Sequence, residues 1–262
     1  MANKSANLID EYFFKSLLEN VMKLEKESNL KGVILASSKK TFLAGADLDM
    51  LYNINEAKTC YDMMESGKAV MRRFELLGKP IVAVMNGTAL GGGMELALCC
   101  HYRIALDNSK SKFGFPEVNL GIMPGGGGVA RLPRLIGLES SLPLLLEGRQ
   151  LNANQAAKKG LIDELAPNEA EMLSKAISWI DSNPNFEQPW DRKNFKFPGG
   201  NAHHPKNAQM IAMAPAVLRK KTRGNFPAPE AILSAAIEGS LVDFETASRV
   251  ESRFFVQLSN GK

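Results

Sequence analysis

An apolar segment at residues 81–85 and three consecutive glycines at residues 91–93 constrain this chain most. The segment Ile-Val-Ala-Val-Met is apolar on both faces, which is typical of a strand in a parallel sheet covered on each side. A helix is expected to begin within residues 91–93, after this strand. Glycines at that point leave backbone N–H groups bare enough for a ligand to contact them. This succession favours an α/β fold.

The rest of the chain continues the alternation of helices and strands. Apolar spacing predicts an amphipathic helix at residues 8–27 and two helices within residues 48–77. Short apolar runs predict strands, and the segment after Pro124 is mainly helical. Residues 183–205 are rich in Pro, Asn, Gly and aromatic residues, which predicts an irregular linker. The predicted strands lie at 32–37, 102–106 and 113–115, and the later helices at 129–136, 140–146, 154–159, 168–180, 228–238 and 244–258.

The composition excludes several classes of protein. Of the 262 residues, 45% are hydrophobic and 23% charged, as in ordinary globular proteins. A formal net charge of +4 is too small to indicate nucleic-acid binding, although it suits an anionic ligand. No segment is apolar enough to span a bilayer or to act as a signal peptide. The three cysteines fit neither a disulfide framework nor a metal site, so buried thiols in a reducing cytosol are expected.

Two glutamates lie in short segments that contain glycine, and both are candidates for acid/base chemistry. Glu95 follows the triple glycine, and Glu117 follows Pro116, which restricts the local backbone. An acidic residue in the first turn of a helix is also favoured by the helix dipole, and glycines also allow a helix to pack tightly on a strand. For Glu117 the alternative is a solvated loop residue.

Three further motifs each allow more than one interpretation. Residues 44–47 (Ala-Gly-Ala-Asp) could supply a second N–H beside Gly92, or Asp47 could simply cap a helix. Residues 125–130 match a dinucleotide-binding Gly-x-Gly-x-x-Ala pattern, but no good strand precedes them, which favours a helix start. The basic run at 219–223 is expected to be a solvated helix end; the alternatives are a contact with a nucleotide phosphate and, after that, nucleic-acid binding. His203 and His204 have no partners at metal-ligand spacing, so we expect them to be solvated.

Four segments together resemble the crotonase (enoyl-CoA hydratase/isomerase) superfamily: residues 42–47, residues 86–97, residues 113–121, and residues 124–128 with 131–134. The resemblance covers about residues 6–166. It implies a crotonase-like ββα superhelix, a spiral, with a helical C-terminal region. Residues from 183 onward resemble the linker of the multifunctional α subunits of bacterial fatty-acid-oxidation complexes, which leads there to a 3-hydroxyacyl-CoA dehydrogenase domain. We therefore expect a crotonase-like domain at residues 1–182, and at 183–262 a linker and helices leading toward an absent dehydrogenase domain.

The resemblance also implies a site. By motif position, Ala46 and Gly92 would supply the two N–H groups of an oxyanion hole. Glu95 and Glu117 would match the two catalytic carboxylates, and the presence of both is the pattern of hydratases. Further residues are expected to contact the acyl-CoA substrate: Leu43, Ala44, Gly45, Asp47, Leu48, Gly91 and Gly125.

The implied function is hydration of trans-2-enoyl-CoA in fatty-acid β-oxidation, a lyase reaction. The alternatives are a Δ3-Δ2 enoyl-CoA isomerase, a catalytically impaired acyl-CoA-binding fragment and an NAD-dependent oxidoreductase. CoA would be part of the substrate, and neither NAD nor a metal is expected. The family implies a homotrimer, or pairing with a thiolase β subunit in the multifunctional proteins, and a cytoplasmic location. Relatives usually begin with one or two strands before the segment that matches residues 6–10, so we expect an internal or trimmed start and a short first sheet.

Overall fold

A computed structural model of the chain describes residues 7–52 and 56–260. Contacts divide these residues into two compact units that interleave along the chain. The first unit contains residues 7–52, Ser66–Phe113 and Leu151–Gln188. The second contains residues 56–65, Gly114–Gln150 and 189–260. The expected boundary between residues 182 and 183 stays a prediction.

The helices and strands predicted from the sequence are present, with ends that differ by a few residues. Among the α-helices and strands of the described residues, four were not predicted as such: the short strands β3, β6 and β7, and helix α9, of which only the basic end was expected. In chain order the elements are α1 Glu11–Leu24, β1 Val33–Ala36, α2 Leu48–Tyr52, α3 Ala57–Glu75, β2 Ile81–Met85, β3 Ala89–Leu90, α4 Gly92–Cys99, β4 Tyr102–Leu106, β5 Phe113–Gly114, α5 Gly128–Ile136, α6 Leu138–Leu146, β6 Gln150–Leu151, α7 Ala153–Lys158, β7 Glu164–Ala166, α8 Glu169–Ser182, α9 Pro205–Thr222, α10 Pro227–Gly239 and α11 Phe244–Asn260.

The first unit is built on a parallel sheet of four strands in the order β1-β2-β4-β7. All five residues of β2 are buried, as the apolar run predicted. Helix α8 packs on this sheet through Met172, Ala176 and Ile180, which join Val82 and Ile104 in one apolar cluster. The apolar surface removed from water in this cluster stabilises the unit, at about 25 cal/mol per Å².

The second unit is a group of helices in which α10 packs against α5, α6 and α11. Its core includes Ala130, Trp190, Phe244 and Ala247. Trp190 stacks on Phe244 with ring centroids 5.9 Å apart, so the irregular segment after residue 183 contributes to the core. The guanidinium of Arg134 donates to the carbonyls of Gly239 and Val242 around the end of α10, and also to the carbonyl of Ala130 in its own helix α5. No helix in the described part of the chain is long and apolar enough to cross a membrane.

Candidate active site

The triple glycine forms the N-terminus of α4, and a different physical reason accounts for the glycine at each of the three positions. Gly91 is the N-cap residue with φ 53° and ψ −128°, a conformation that residues with a β-carbon rarely adopt. Its carbonyl accepts from the N–H groups of Met94 and Glu95. A β-carbon at Gly93 would collide with the carbonyl of Leu43, so tight packing explains that glycine.

Gly92 is the first residue of α4, so its N–H has no acceptor inside the helix. The helix start also carries the positive end of the helix dipole. An electronegative atom that contacts Gly92 would therefore meet both a hydrogen-bond donor and a favourable field.

Ala46 is held in an extended segment by pairing with Ile9. The Ile9 N–H donates to the carbonyl of Gly45 at 2.9 Å, and the Asp47 N–H donates to the carbonyl of Ile9 at 2.8 Å. In a parallel bridge of this kind, the residue between the two bonded neighbours directs its own N–H to the opposite side. The Ala46 N–H therefore points away from Ile9.

The start of α4 lies on that opposite side. A β-carbon at Gly92 would lie 3.6 Å from the Ala46 nitrogen and 3.9 Å from Oε2 of Glu95. Glu95 is 97% buried, with an exposed fraction of 3%. Long side chains in a helix lean toward its N-terminus, which explains why the carboxylate reaches back to Gly92. The first unit thus brings Ala46, Gly92 and Glu95 around one point.

The other predicted contacts from residues 43–45 lie in the segment that carries Ala46. Leu43 is buried, and its carbonyl accepts from the Leu90 N–H. The Ala44 N–H donates to the carbonyl of Asn7 at 3.0 Å. Gly45 has φ +124°, and a β-carbon there would approach the carbonyl of Leu90 to 3.4 Å. These hydrogen bonds, to Asn7 on one side and to Leu90 on the other, hold the extended segment in place.

Asp47 and Leu48 begin the next helix. Oδ1 of Asp47 accepts from the Asp49 N–H at 3.1 Å, so Asp47 caps α2 as the simpler interpretation predicted. Leu48 is 51% exposed at the start of the same helix. Both interpretations of residues 44–47 are therefore compatible, because the cap uses the Asp47 side chain and the Ala46 N–H is a separate group.

Glu117 belongs to the second unit, in a 3-10 helix at Pro116–Leu120. The residue is half-buried, and its Oε2 atom is shielded from solvent. Gly121 ends this helix in the left-handed conformation with φ 75°. The alternative of a solvated loop glutamate is therefore wrong, because the backbone is helical and the carboxylate is partly enclosed.

Gly125 also belongs to the second unit and lies in a closely packed turn. A β-carbon there would collide with Cε of Met64 and would lie 2.7 Å from Cδ2 of Phe255. Gly127, with φ 99°, is the N-cap residue of α5. Residues 121–127 form no strand, and a dinucleotide-binding loop should follow one directly. The helix-start interpretation of this glycine cluster is confirmed.

Sequence reasoning missed one residue at this helix start, Glu251. Its carboxylate accepts from the N–H groups of Gly127 and Ala130, at 2.7 and 3.0 Å. The signal was present in the sequence: Glu251 has helical spacing with the apolar residues Phe244, Ala247 and Phe255. An acidic residue on an apolar helix face needs buried partners.

The remaining candidates are structural. His203 and His204 are exposed, and Nδ1 of His204 accepts from the Lys206 N–H at the start of α9. The basic run forms the last turn of α9, as expected, and Lys221 pairs there with Glu147 at 2.7 Å. Among residues 7–52 and 56–260, no three His, Cys, Asp or Glu side chains are grouped as metal ligands would be.

Comparison with known proteins gives a consistent result. The protein-family model for enoyl-CoA hydratase/isomerase matches residues 1–185. The fatty acid oxidation complex subunit alpha of Shewanella loihica is 36% identical over 258 residues, which cover 97% of this chain. The corresponding subunit of Shewanella halifaxensis is 34% identical over an alignment of 269 positions, which covers 99% of this chain. The chain spans only 36% of the length of each of these relatives.

Solved structures show the same fold. An enoyl-CoA hydratase from Bacillus anthracis is 28% identical with a TM-score of 0.62, over 96% of this chain and 81% of that one. An enoyl-CoA hydratase from Thermoplasma volcanium is 26% identical with a TM-score of 0.62, over 95% of this chain and 82% of that one. The predicted crotonase-like α/β fold with a helical C-terminal region is therefore confirmed. Because the family model matches well over half of its residues, the chain belongs to the enoyl-CoA hydratase/isomerase family, the crotonase superfamily that its motifs resemble.

Proposed function

We propose that this chain is an enzyme that adds water to trans-2-enoyl-CoA and forms 3-hydroxyacyl-CoA, a step of fatty-acid β-oxidation. One observation carries the proposal: the Ala46 nitrogen and Oε2 of Glu95 lie 3.6 and 3.9 Å from the β-position of Gly92. Two backbone donors and a buried carboxylate at one point are what an acyl-transfer or enolate-forming site needs.

Ala46 and Gly92 would form the oxyanion hole. When water attacks a conjugated thioester, negative charge develops on the carbonyl oxygen. Two backbone N–H dipoles that already point to that oxygen lower the barrier, because they need no reorganisation during the reaction. The pairing of Ile9 with Ala46 and the start of α4 hold the two donors in place.

Glu95 and Glu117 would manage the protons. We assign Glu95 to taking a proton from the attacking water while the water oxygen bonds to C3. We assign Glu117 to delivering a proton to C2, where the enolate collapses. The net change is the addition of one water: Glu95 receives one proton and Glu117 gives one. Release of a proton from Glu95 to solvent and uptake of one by Glu117 then restore both carboxyl groups.

CoA would enter as part of the substrate, so the reaction needs neither NAD nor a metal. Leu43, Ala44, Gly45, Asp47, Leu48 and Gly91 are the proposed substrate contacts of the first unit, and Gly125 that of the second. The names of the Shewanella relatives support a role in fatty-acid oxidation. A homotrimer, a thiolase β subunit as partner and a cytoplasmic location are further expectations from the family.

The test is to mix the purified chain with crotonyl-CoA and follow the loss of the conjugated thioester absorbance. We expect the wild type to hydrate crotonyl-CoA. We expect the Glu95→Gln and Glu117→Gln variants each to have a kcat that is lower by about 10²–10⁴-fold. Glu238→Gln is the matched control, since Glu238 is exposed on α10. Glu95→Gln with full hydration activity would refute its role, and the same result for Glu117→Gln would refute the other assignment.

Two outcomes would favour the alternatives. Conversion of a 3-enoyl-CoA with no hydration of crotonyl-CoA, and a dispensable Glu95, would identify an isomerase. Tight binding of crotonyl-CoA without any turnover would identify an acyl-CoA-binding fragment.

A further inference from the structure

Helix α5 begins without a capping side chain of its own. Its N-cap residue is Gly127, which has no side chain to accept from the first N–H groups of the helix. The carboxylate of Glu251, 124 residues later in α11, takes this role. Its Oε1 accepts from the Gly127 N–H at 2.7 Å, and its Oε2 accepts from the Ala130 N–H at 3.0 Å.

The arrangement is energetically demanding, because Glu251 is 1% exposed. A buried carboxylate is tolerated only where charge-assisted hydrogen bonds and a favourable field replace its hydration. The N-terminus of a helix supplies both, since its N–H groups lack intrahelical acceptors and carry the positive end of the dipole. Glu251 thus occupies a site that would otherwise suit a small anion.

The same helix contacts the glycine turn a second time. Phe255 lies one turn after Glu251 in α11, and its ring sits 2.7 Å from where a β-carbon of Gly125 would be. Gly125 and Gly127 are therefore fixed by two residues on one face of α11. Glu251 accepts from Gly127 in the turn and from Ala130 in α5, so it also links that helix to the turn.

We infer that Glu251 is a positioning residue that holds the turn of Gly125 in its substrate-binding conformation. This inference rests on the proposed function, in which Gly125 contacts the acyl-CoA substrate. Its effect is indirect: Glu251 acts through the backbone of Gly127, two residues from Gly125. Helix α11 is accordingly a necessary part of the binding site.

The test uses Glu251→Gln, which keeps the shape of the side chain but replaces one acceptor oxygen by an NH₂ group. One backbone N–H must then face another donor. We expect amide hydrogen exchange at Gly127 and Ala130 to become at least about tenfold faster, which corresponds to about 1.4 kcal/mol. We expect KM for crotonyl-CoA to rise several-fold and kcat to change less. Glu251→Asp keeps the charge and should fall between the wild type and Glu251→Gln in both measurements.

Glu238→Gln is the control for loss of one negative charge. Its amide exchange at Gly127 and Ala130 and its KM for crotonyl-CoA should equal those of the wild type. Unchanged exchange at Gly127 and Ala130, or an unchanged KM with a folded Glu251→Gln variant, would overturn the inference. If Glu251→Gln does not fold, Glu251→Asp decides by the same measurements. A wild-type chain that neither binds nor hydrates crotonyl-CoA would instead refute the proposed function, and amide exchange alone would then decide whether Glu251 holds the turn.

Discussion

Ile9 and Ala46 lie opposite each other in a parallel bridge, and the two hydrogen bonds of Ile9 go to the neighbours of Ala46. This leaves the Ala46 N–H on the side of the segment where α4 begins. The side chain of Ile9 also reaches the helix, since its Cδ1 lies 2.9 Å from the β-position of Gly92. Ile9 therefore affects the proposed oxyanion hole through its backbone and through its side chain.

We predict that Gly92→Ala lowers kcat for crotonyl-CoA by about 10²-fold, comparable to the loss of an oxyanion-hole donor. The new methyl group would lie 3.6 Å from the Ala46 nitrogen, in the space that the thioester oxygen needs. It would also crowd Ile9, at a cost of about 1–3 kcal/mol in the free energy of unfolding. Steady-state kinetics and urea unfolding measure the two effects.

The double variant Gly92→Ala with Ile9→Val separates the effect on kcat from the effect on stability. Removing Cδ1 of Ile9 relieves the contact at 2.9 Å, so stability should recover while kcat stays low. Recovery of kcat together with stability would show that crowding of Ile9, and not obstruction of the site, caused the loss.

We predict that Gln188→Leu lowers the free energy of unfolding by about 1–3 kcal/mol, the usual cost of leaving buried polar groups unsatisfied. Gln188 is 2% exposed, and its Nε2 lies 3.3–3.4 Å from the carbonyls of Leu98, Cys99 and Cys100 at the end of α4. Urea unfolding measures the change. The exposed neighbour Glu187 provides the control Glu187→Gln, and equal stability of both variants would contradict the prediction.

We predict that Asp243→Ala lowers Tm at pH 7 by about 2–4 °C, corresponding to roughly 1 kcal/mol for an N-cap in a chain of this size. The Asp243 carboxylate caps α11 by accepting from the hydroxyl and the N–H of Thr246. The side-chain hydrogen bond from Thr246 is the main reason why the pKa of Asp243 is lowered.

A carboxyl group with a lowered pKa binds fewer protons in the folded state than in the unfolded state. Its stabilisation is therefore complete above the ordinary Asp pKa and is lost as the pH falls through the folded value. The Tm difference between wild type and Asp243→Ala should shrink toward pH 3. Asp243→Asn, which can still cap, should show a smaller loss with little pH dependence, and a gap that widens in acid would refute this account.

We predict that Cys60, Cys99 and Cys100 react with a thiol reagent at pH 8 only after denaturation, when three thiols per chain appear. All three are buried. Burial raises the pKa of the Cys60 thiol, which lowers the fraction of reactive thiolate. Absorbance of the released thiol product, with and without denaturant, gives the count, and rapid reaction in the native state would contradict the prediction.

The sequence alone predicted most of the helices and strands, because the patterns that specify them lie within short segments of the chain. The apolar run of β2 specified a strand covered on both faces, and the glycines before Glu95 specified a helix start. The crotonase-like fold was implied by the resemblance of four motifs to that superfamily, and each motif is a short contiguous segment. The basic end of α9 was likewise readable as a solvated helix end.

Only the tertiary structure decided which distant groups meet. It placed the Ala46 nitrogen beside Gly92, and the bridge to Ile9 sets the direction of the Ala46 N–H. It also put the Glu251 carboxylate on the first N–H groups of α5, across 124 residues of chain. Such pairings depend on which faces of the helices and strands pack together. Hydrophobic spacing in the sequence indicates that a face is buried, but it does not indicate which element packs against that face.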